Sequence, residues 1–228
     1  SSAASDVYKR QRYPYAGETN PSVTLHIYDI QTKTCRQIWQ SEDGTNNTYL
    51  ARVNPISGGV CLQTQDRLQQ NLTLSSYCFA DESWKTHYRE TASTWINLSD
   101  DLLELDNGEL LFSTEDQGPR QAIVISKQGA IRRLHGPMHI NQILSADESS
   151  VLAAGWDETP IENHLFELAL DGSGYRQITV GAGVHDVVVH QKQNCFVDRH
   201  SDLDTPVRIC VKRTEANKTS QAEAEQVL

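Results

Sequence analysis

Three segments of this chain share one plan: a β-rich run, a turn, and a second β-rich run that carries a basic residue. That recurrence constrains the fold more than any other feature. Leu25-His26-Ile27-Tyr28-Asp29-Ile30 alternates in polarity, turns over residues 31–34, and resumes as Cys35-Arg36-Gln37-Ile38-Trp39. Ala122-Ile123-Val124-Ile125-Ser126 passes through Lys127-Gln128-Gly129 into Ile131-Arg132-Arg133-Leu134. His164-Leu165-Phe166-Glu167-Leu168-Ala169-Leu170 passes through Asp171-Gly172-Ser173-Gly174 into Tyr175-Arg176-Gln177-Ile178-Thr179. Each reads as a β-hairpin whose turn chemistry supplies the positive φ that a tight reversal needs.

The basic residue after each turn marks the phase of the repeat. It falls at Arg36, Arg133 and Arg176, with a weaker marker at Lys85 after Leu74-Ser75-Ser76-Tyr77-Cys78-Phe79, giving intervals of 49, 48 and 43 residues. Hairpins at that spacing predict four-stranded antiparallel sheets repeated side by side, the spacing of propeller blades. A β-sandwich with evenly spaced turns is the alternative. The fold class expected is all-β, and helix is scarce.

The chain has 228 residues, 38% of them hydrophobic and 22% charged, enough for a sizeable core. Its 20 basic and 30 acidic residues sum to −10, which argues against a nucleic-acid or anionic-membrane partner. No apolar run approaches the roughly 18 residues of a membrane span. Residues 1–11, Ser1 to Gln11, read as a translated transposon-tagmentation adapter, since one reading frame of that adapter encodes all eleven in order. The expectation is therefore a fragment of a longer gene, with the fold over residues 12–213. Residues 214–228, with helix formers and little apolar surface, read as a linker.

Candidate chemistry is sparse. No Gly-x-Ser-x-Gly elbow exists to present a serine nucleophile, and Gly172-Ser173-Gly174 is a hairpin turn. The eight histidines read as surface or cross-strand residues, with His185 structural rather than catalytic. No catalytic residue is assigned. The five cysteines, at 35, 61, 78, 195 and 210, include no C-x-x-C, and a phosphate-binding glycine loop is missing, so neither metal nor cofactor is expected. Cys195 and Cys210 are symmetric about a turn between Asp202 and Leu203, which places them opposite each other in a regular hairpin as a cross-strand disulfide or two reduced neighbours. Asp100-Asp101 is the paired-acid site of interest. Adjacent acids on a strand point to opposite faces, so they do not form an acid/base pair on one substrate, but one is a candidate to line a cavity. The alternative is that both cap the turn before Leu102-Leu103.

Five stretches, in order, resemble one family. Arg12-Tyr13-Pro14-Tyr15-Ala16-Gly17 with Asn20-Pro21 is similar to the R-Y-P-x-A-G…N-P segment of dipeptidyl peptidase IV-like enzymes, in the prolyl oligopeptidase group of serine peptidases. Glu90-Thr91 through Trp95-Ile96-Asn97-Leu98 and Asp100-Asp101-Leu102 resembles E-T…W-V-x-L…D-D-L. Gly108 to Gly118, with Phe112-Ser113 and Glu115, resembles G-x-F-L-W-x-S-E-R-x-G. Pro160-Ile161-Glu162-Asn163-His164-Leu165-Phe166 with Asp171-Gly172 resembles P-x-E-x-H-L-Y…D-G. Phe196-Val197-Asp198-Arg199-His200-Ser201 with Thr205-Pro206 resembles the last-blade F-V-D-x-x-S…T-P. The chain departs from the family at Thr114-Glu115-Asp116, in place of S-E-R, and at Gln121-Ala122-Ile123-Val124, in place of H-L-Y-L.

The resemblance, strongest to bacterial members, implies an N-terminal propeller of about eight blades capping a C-terminal α/β-hydrolase domain. This chain would hold roughly the second half of that propeller. The family's Ser-Asp-His triad would lie beyond the C-terminal end, and its amine-binding glutamates upstream of Arg12. The parent would be a serine dipeptidyl peptidase acting on peptides with proline at the second position, with a homodimer as its candidate assembly, in the bacterial periplasm or cytoplasm. By resemblance the Trp95 segment runs near the propeller face toward the catalytic domain, which makes Asp100 and Asp101 substrate-pocket candidates. A stand-alone propeller serving as a protein-interaction scaffold is the alternative from a different class.

Overall fold

Runs of buried residues without alternation are the signature of a sheet covered on both faces, and this chain has several. In the computed structural model, which describes residues 21–41 and 48–214, β8 (Leu110–Thr114) is buried at all five positions. Leu110 and Phe112 pack toward the preceding sheet and Leu111 toward the following one, as period-two geometry requires.

The strands follow in chain order as antiparallel meanders. β1 (Thr24–Asp29) and β2 (Thr34–Gln40) pair alone. β3 (Thr48–Ile56), β4 (Gly59–Asp66), β5 (Asn71–Cys78) and β6 (Trp84–Thr91) form the first four-stranded sheet. β7 (Leu102–Glu104), β8, β9 (Gln121–Ile125) and β10 (Ile131–Arg133) form the second. β11 (His139–Ala146), β12 (Ser150–Trp156), β13 (His164–Ala169) and β14 (Tyr175–Gln177) form the third. β15 (Val184–His190), β16 (Cys195–Ser201) and β17 (Arg208–Arg213) close the series as a three-stranded sheet.

Between consecutive sheets lie three apolar clusters. Cys61, Leu72, Leu74 and Phe112 join the first four-stranded sheet to the second, Leu111, Val124, Ile140 and Phe166 join the second to the third, and Leu152, Leu165, Val187 and Phe196 join the third to the last. A sandwich has two layers. Here four sheets pack in succession, each on the next, which excludes the sandwich and gives the partial β-propeller. The last sheet alternates, buried at His185 and Val187 but exposed at Val184, Asp186 and Val188, because one of its faces is covered and the other is open.

All four phase markers fall in the final strand of their pair or sheet: Arg36 in β2, Lys85 in β6, Arg133 in β10 and Arg176 in β14. Basic side chains of these strands reach the segment that follows the third strand of the next sheet. Arg36 pairs with Glu82, Lys85 Nζ donates to Lys127 O, Arg132 Nε donates to Leu170 O at 2.8 Å, and Arg176 donates to Thr214 O at 3.1 Å. The ladder runs along the rim and repeats with the sheets.

Residues 1–20 and 215–228, which hold the adapter-like stretch, the Arg12–Gly17 resemblance and most of the linker, lie outside the described residues. Among the described residues no helix is long and apolar enough to cross a membrane.

Candidate functional site

The first strands of the third and last sheets approach each other, and a cleft of about 440 Å³ opens between them. Its polar lining comes from Asn141 and Gln142 on β11, Asn163 before β13, Asp186 on β15, and Arg199 and Ser201 on β16. Asn141 Nδ2 donates to Asn163 Oδ1 at 2.8 Å, and Asn163 Nδ2 donates to His185 O at 2.6 Å. The backbone continues the seam: His185 N donates to Asn163 O at 2.8 Å and Asn163 N to Gly183 O at 3.2 Å. Arg199 and Asp186 form an ion pair at 3.2 Å with both side chains largely in water, so the charges remain open to exchange with a ligand.

Behind this wall lies a buried polar group. His185, 1% exposed, places Nδ1 at 2.9 and 3.0 Å from the two Asp198 carboxylate oxygens and Nε2 at 3.2 Å from Gly181 O. Lys212 Nζ donates to Asp198 Oδ2 at 2.9 Å. Burial alone would push the Asp198 carboxyl up. The hydrogen bonds and charges of His185 and Lys212 outweigh it and hold the group below the usual carboxylate range. His200 stacks on His185 with ring centres 4.2 Å apart, and His164 lies 5.1 Å away on the other side. Among the described residues no three His, Cys, Asp or Glu side chains are grouped to hold a metal. Both nitrogens of His185 are engaged inside the protein, so it does not stand ready as a base toward a substrate.

The two acids singled out from the sequence sit in the segment before β7, not on a strand, and they do different things. Asp100 is exposed and pairs with Arg52 on β3. Asp101 is buried: its Oδ2 accepts from Ser113 Oγ at 2.8 Å and its Oδ1 from Ile143 N at 2.9 Å. It therefore ties the second sheet to the third, and neither acid lines the cleft. Leu102 N bonds to Asp100 O at 3.0 Å, so the backbone of Asp100 rather than either carboxylate closes the turn before Leu102.

Cys195 and Cys210 do not oppose each other. β16 and β17 pair about a later centre, Cys195 with Arg213 and Asp198 with Cys210, and no disulfide joins the two cysteines. Cys210 is on the buried face with Phe196 and Asp198, whereas Cys195 is on the opposite one, which rules the bond out on geometry.

Of the histidines, His164 and His185 are buried between sheets rather than on the surface, and His185 stands opposite His200 across β15–β16, one of the cross-strand placements expected. The cleft was not foreseen, because Asp186 and Arg199 lie 13 residues apart and are brought together by the β15–β16 register. A signal existed for the group behind it: Glu162 and His164 fall in one family-like stretch and Asp198 and His200 in another.

With the geometry established, two comparisons bear on it. The sequence pattern of one protein family, described as the dipeptidyl peptidase IV (DPP IV) N-terminal region, matches residues 2–207. The crystal structure of Porphyromonas gingivalis dipeptidyl peptidase 4 is similar in fold, with a TM-score of 0.79 and 18% sequence identity. The similarity covers 90% of this chain and 30% of that one, so the chain spans under a third of the length of that protein.

Proposed function

The chain belongs to the dipeptidyl peptidase IV N-terminal region family, and from that premise we propose that it is the propeller portion of a serine dipeptidyl peptidase that removes Xaa-Pro-type dipeptides from peptide N-termini. The family match across residues 2–207 carries the reading. The stacked meander sheets support it, since such an array presents its first strands and their loops toward a common axis where a peptide can be admitted. In the full enzyme the serine of a hydrolase domain attacks the carbonyl with histidine as general base. The propeller's part is to gate access and to hold the peptide. A protonated N-terminal amine needs a carboxylate with an oxygen to spare. Asp101 has both oxygens engaged, so of the two acids that role falls to Asp100, with Arg52 as its competitor.

The test is to extend the gene past Leu228 and assay the longer polypeptide. A Gly-x-Ser-x-Gly elbow within the following ~200 residues, and turnover of an Xaa-Pro chromogenic substrate that the 228-residue chain lacks, support the proposal. An extension without a hydrolase domain overturns it in favour of a scaffold role. In the active polypeptide Asp100→Asn raises KM about tenfold, roughly 1.4 kcal/mol, and a silent Asp100→Asn removes that acid from the pocket.

A further inference from the structure

We propose that the cleft between the third and last sheets binds a dipeptide by its two free termini, the carboxylate on Arg199 and the ammonium on Asp186, with the peptide amide on Asn141 and Gln142. The proposal goes beyond the gating role and stands on the cleft alone.

An irregularity of β11 shapes this wall for a ligand. Adjacent residues of a regular strand face opposite ways, yet Asn141 and Gln142 both line the cleft. The β11–β12 register shifts here: Ile140 pairs with Gly155 and Gln142 with Ala154, so Asn141 is the extra residue of a bulge. A bulge interrupts the ladder and re-aims a side chain, and such features gather beside binding sites. Asn141 Nδ2 is held by Asn163 Oδ1 at 2.8 Å, which orients the side chain and leaves its Oδ1 to accept. Gln142, exposed beside it, carries an amide that donates as well as accepts. Together the two side chains match the N–H and C=O of one peptide bond.

The charges select the ends of the ligand. Asp186 and Arg199 are cross-strand partners of β15 and β16, joined through Arg199 Nη1 and Asp186 Oδ2 at 3.2 Å, with 65% of the aspartate side chain and 59% of the arginine exposed. That contact leaves the Nε–Nη2 edge of the guanidinium and the second carboxylate oxygen to other partners. A simple anion on Arg199 would sit beside the negative charge of Asp186, and a simple cation on Asp186 beside Arg199, so each gains one attraction and meets one repulsion. A ligand with both signs at its ends completes an alternating set of four charges.

The spacing favours two residues. In a dipeptide the terminal nitrogen and the carboxyl carbon lie roughly 5–6 Å apart, close enough to straddle one ion pair, whereas a longer extended chain carries its ends beyond it. A single amino acid has both charges but no amide for Asn141 and Gln142. The cleft, at about 440 Å³, lies within the range of small-molecule pockets. Leu144, Ala154, Val184 and Val187 add an apolar side against which an aliphatic side chain can pack.

The test is an NMR titration of the ¹⁵N-labelled 228-residue chain with Ala-Val, its N-acetyl form, its C-terminal amide, and alanine. Free Ala-Val is expected to shift amide signals of β11, β15 and β16 around the cleft, with a Kd near about 1 mM, the affinity that a few solvent-screened contacts support. Blocking either terminus should weaken binding about tenfold or more. Variants at the two exposed side chains assign the ends. Asp186→Asn should weaken free Ala-Val and leave the N-acetyl form as it was, and Arg199→Gln should weaken free Ala-Val and leave the amide as it was. A variant that weakens free and blocked peptides alike overturns the assignment. Blocked peptides or alanine that bind the wild-type chain as tightly as free Ala-Val, shifts away from the cleft, or no shift at about 10 mM peptide overturn the proposal without any variant having to fold. No hydrolase domain enters the experiment, so its outcome is independent of the gene-extension test.

Discussion

Replacing Asp101 should separate a structural tie from a surface charge with little ambiguity. The carboxylate is 7% exposed and accepts two hydrogen bonds, one from Ser113 Oγ on its own sheet and one from the Ile143 backbone of the next. Asp101→Ala removes both acceptors. A buried donor left without a partner costs about 1–3 kcal/mol, so two cost about 3–5 kcal/mol once partial rearrangement is counted. For a chain of this size each kcal/mol moves Tm by roughly 2–4 °C, which puts the fall at about 6–20 °C. Asp101→Asn should be milder. Its Oδ1 still accepts from Ile143, and the Ser113 hydroxyl can rotate to accept from the new amide. Asp100→Ala, at a largely solvated ion pair, should cost under about 1 kcal/mol. The assay is thermal and urea unfolding followed by tryptophan fluorescence, with amide exchange at Ile143 as the local reporter. Equal losses for Asp100→Ala and Asp101→Ala, or an Ile143 amide no less protected in Asp101→Ala, would refute the reasoning.

Gly155→Ala on β12 should destabilise by about 1–3 kcal/mol or more, because a Cβ there would sit 2.2 Å from His139 O on the paired strand, and a normal melting temperature for that variant would contradict the strand spacing described. Burial raises the Glu90 carboxyl, with Asp116 and Glu115 adding to the effect against the Thr114 hydrogen bond and Arg120, so its ionisation opposes folding as pH rises. Glu90→Gln should accordingly stabilise the chain at about pH 8 and lose that advantage near pH 4, in urea titrations at both. The Cys61 thiol, wholly buried and pushed up to about 12 by that burial, should react with a thiol reagent only after denaturation, whereas exposed Cys35 labels at once. Mild oxidation of the native chain should yield no Cys195–Cys210 peptide in mass mapping, since the two side chains stand on opposite faces of their sheet.

The array was legible in the sequence because a tight turn advertises itself locally. Gly129 and Gly172 adopt positive φ at 88° and 81°, and the hairpins around them fall where the turn chemistry put them. Register was not legible where the turn is loose. The β16–β17 connection centres on Asp204 rather than between Asp202 and Leu203, and that small shift changed which residues face each other across Cys210. The cleft depends on contacts between sheets, and no local signal reports those. The family-like stretches did carry information of another kind. Glu90, Asp101, Ser113, His164 and Asp198 all come from them, and each makes a buried polar contact, most of them at or near a seam between sheets.

The basic ladder along the rim bears on how such an array can change in length. Every rung has its donor in one pair or sheet and its receiver after the third strand of the next, so a segment cut between equivalent points of two sheets contains one of each. Duplicating or deleting such a segment as a block of coding sequence leaves every cation matched to a receiver, and the energetics remain those of nearest neighbours. A segment whose two ends fall at non-equivalent points of their sheets does not have this property, because it can carry a donor without a receiver or a receiver without a donor. Recombination is thereby biased toward whole-unit steps, with the rim recording where the joints between units fall.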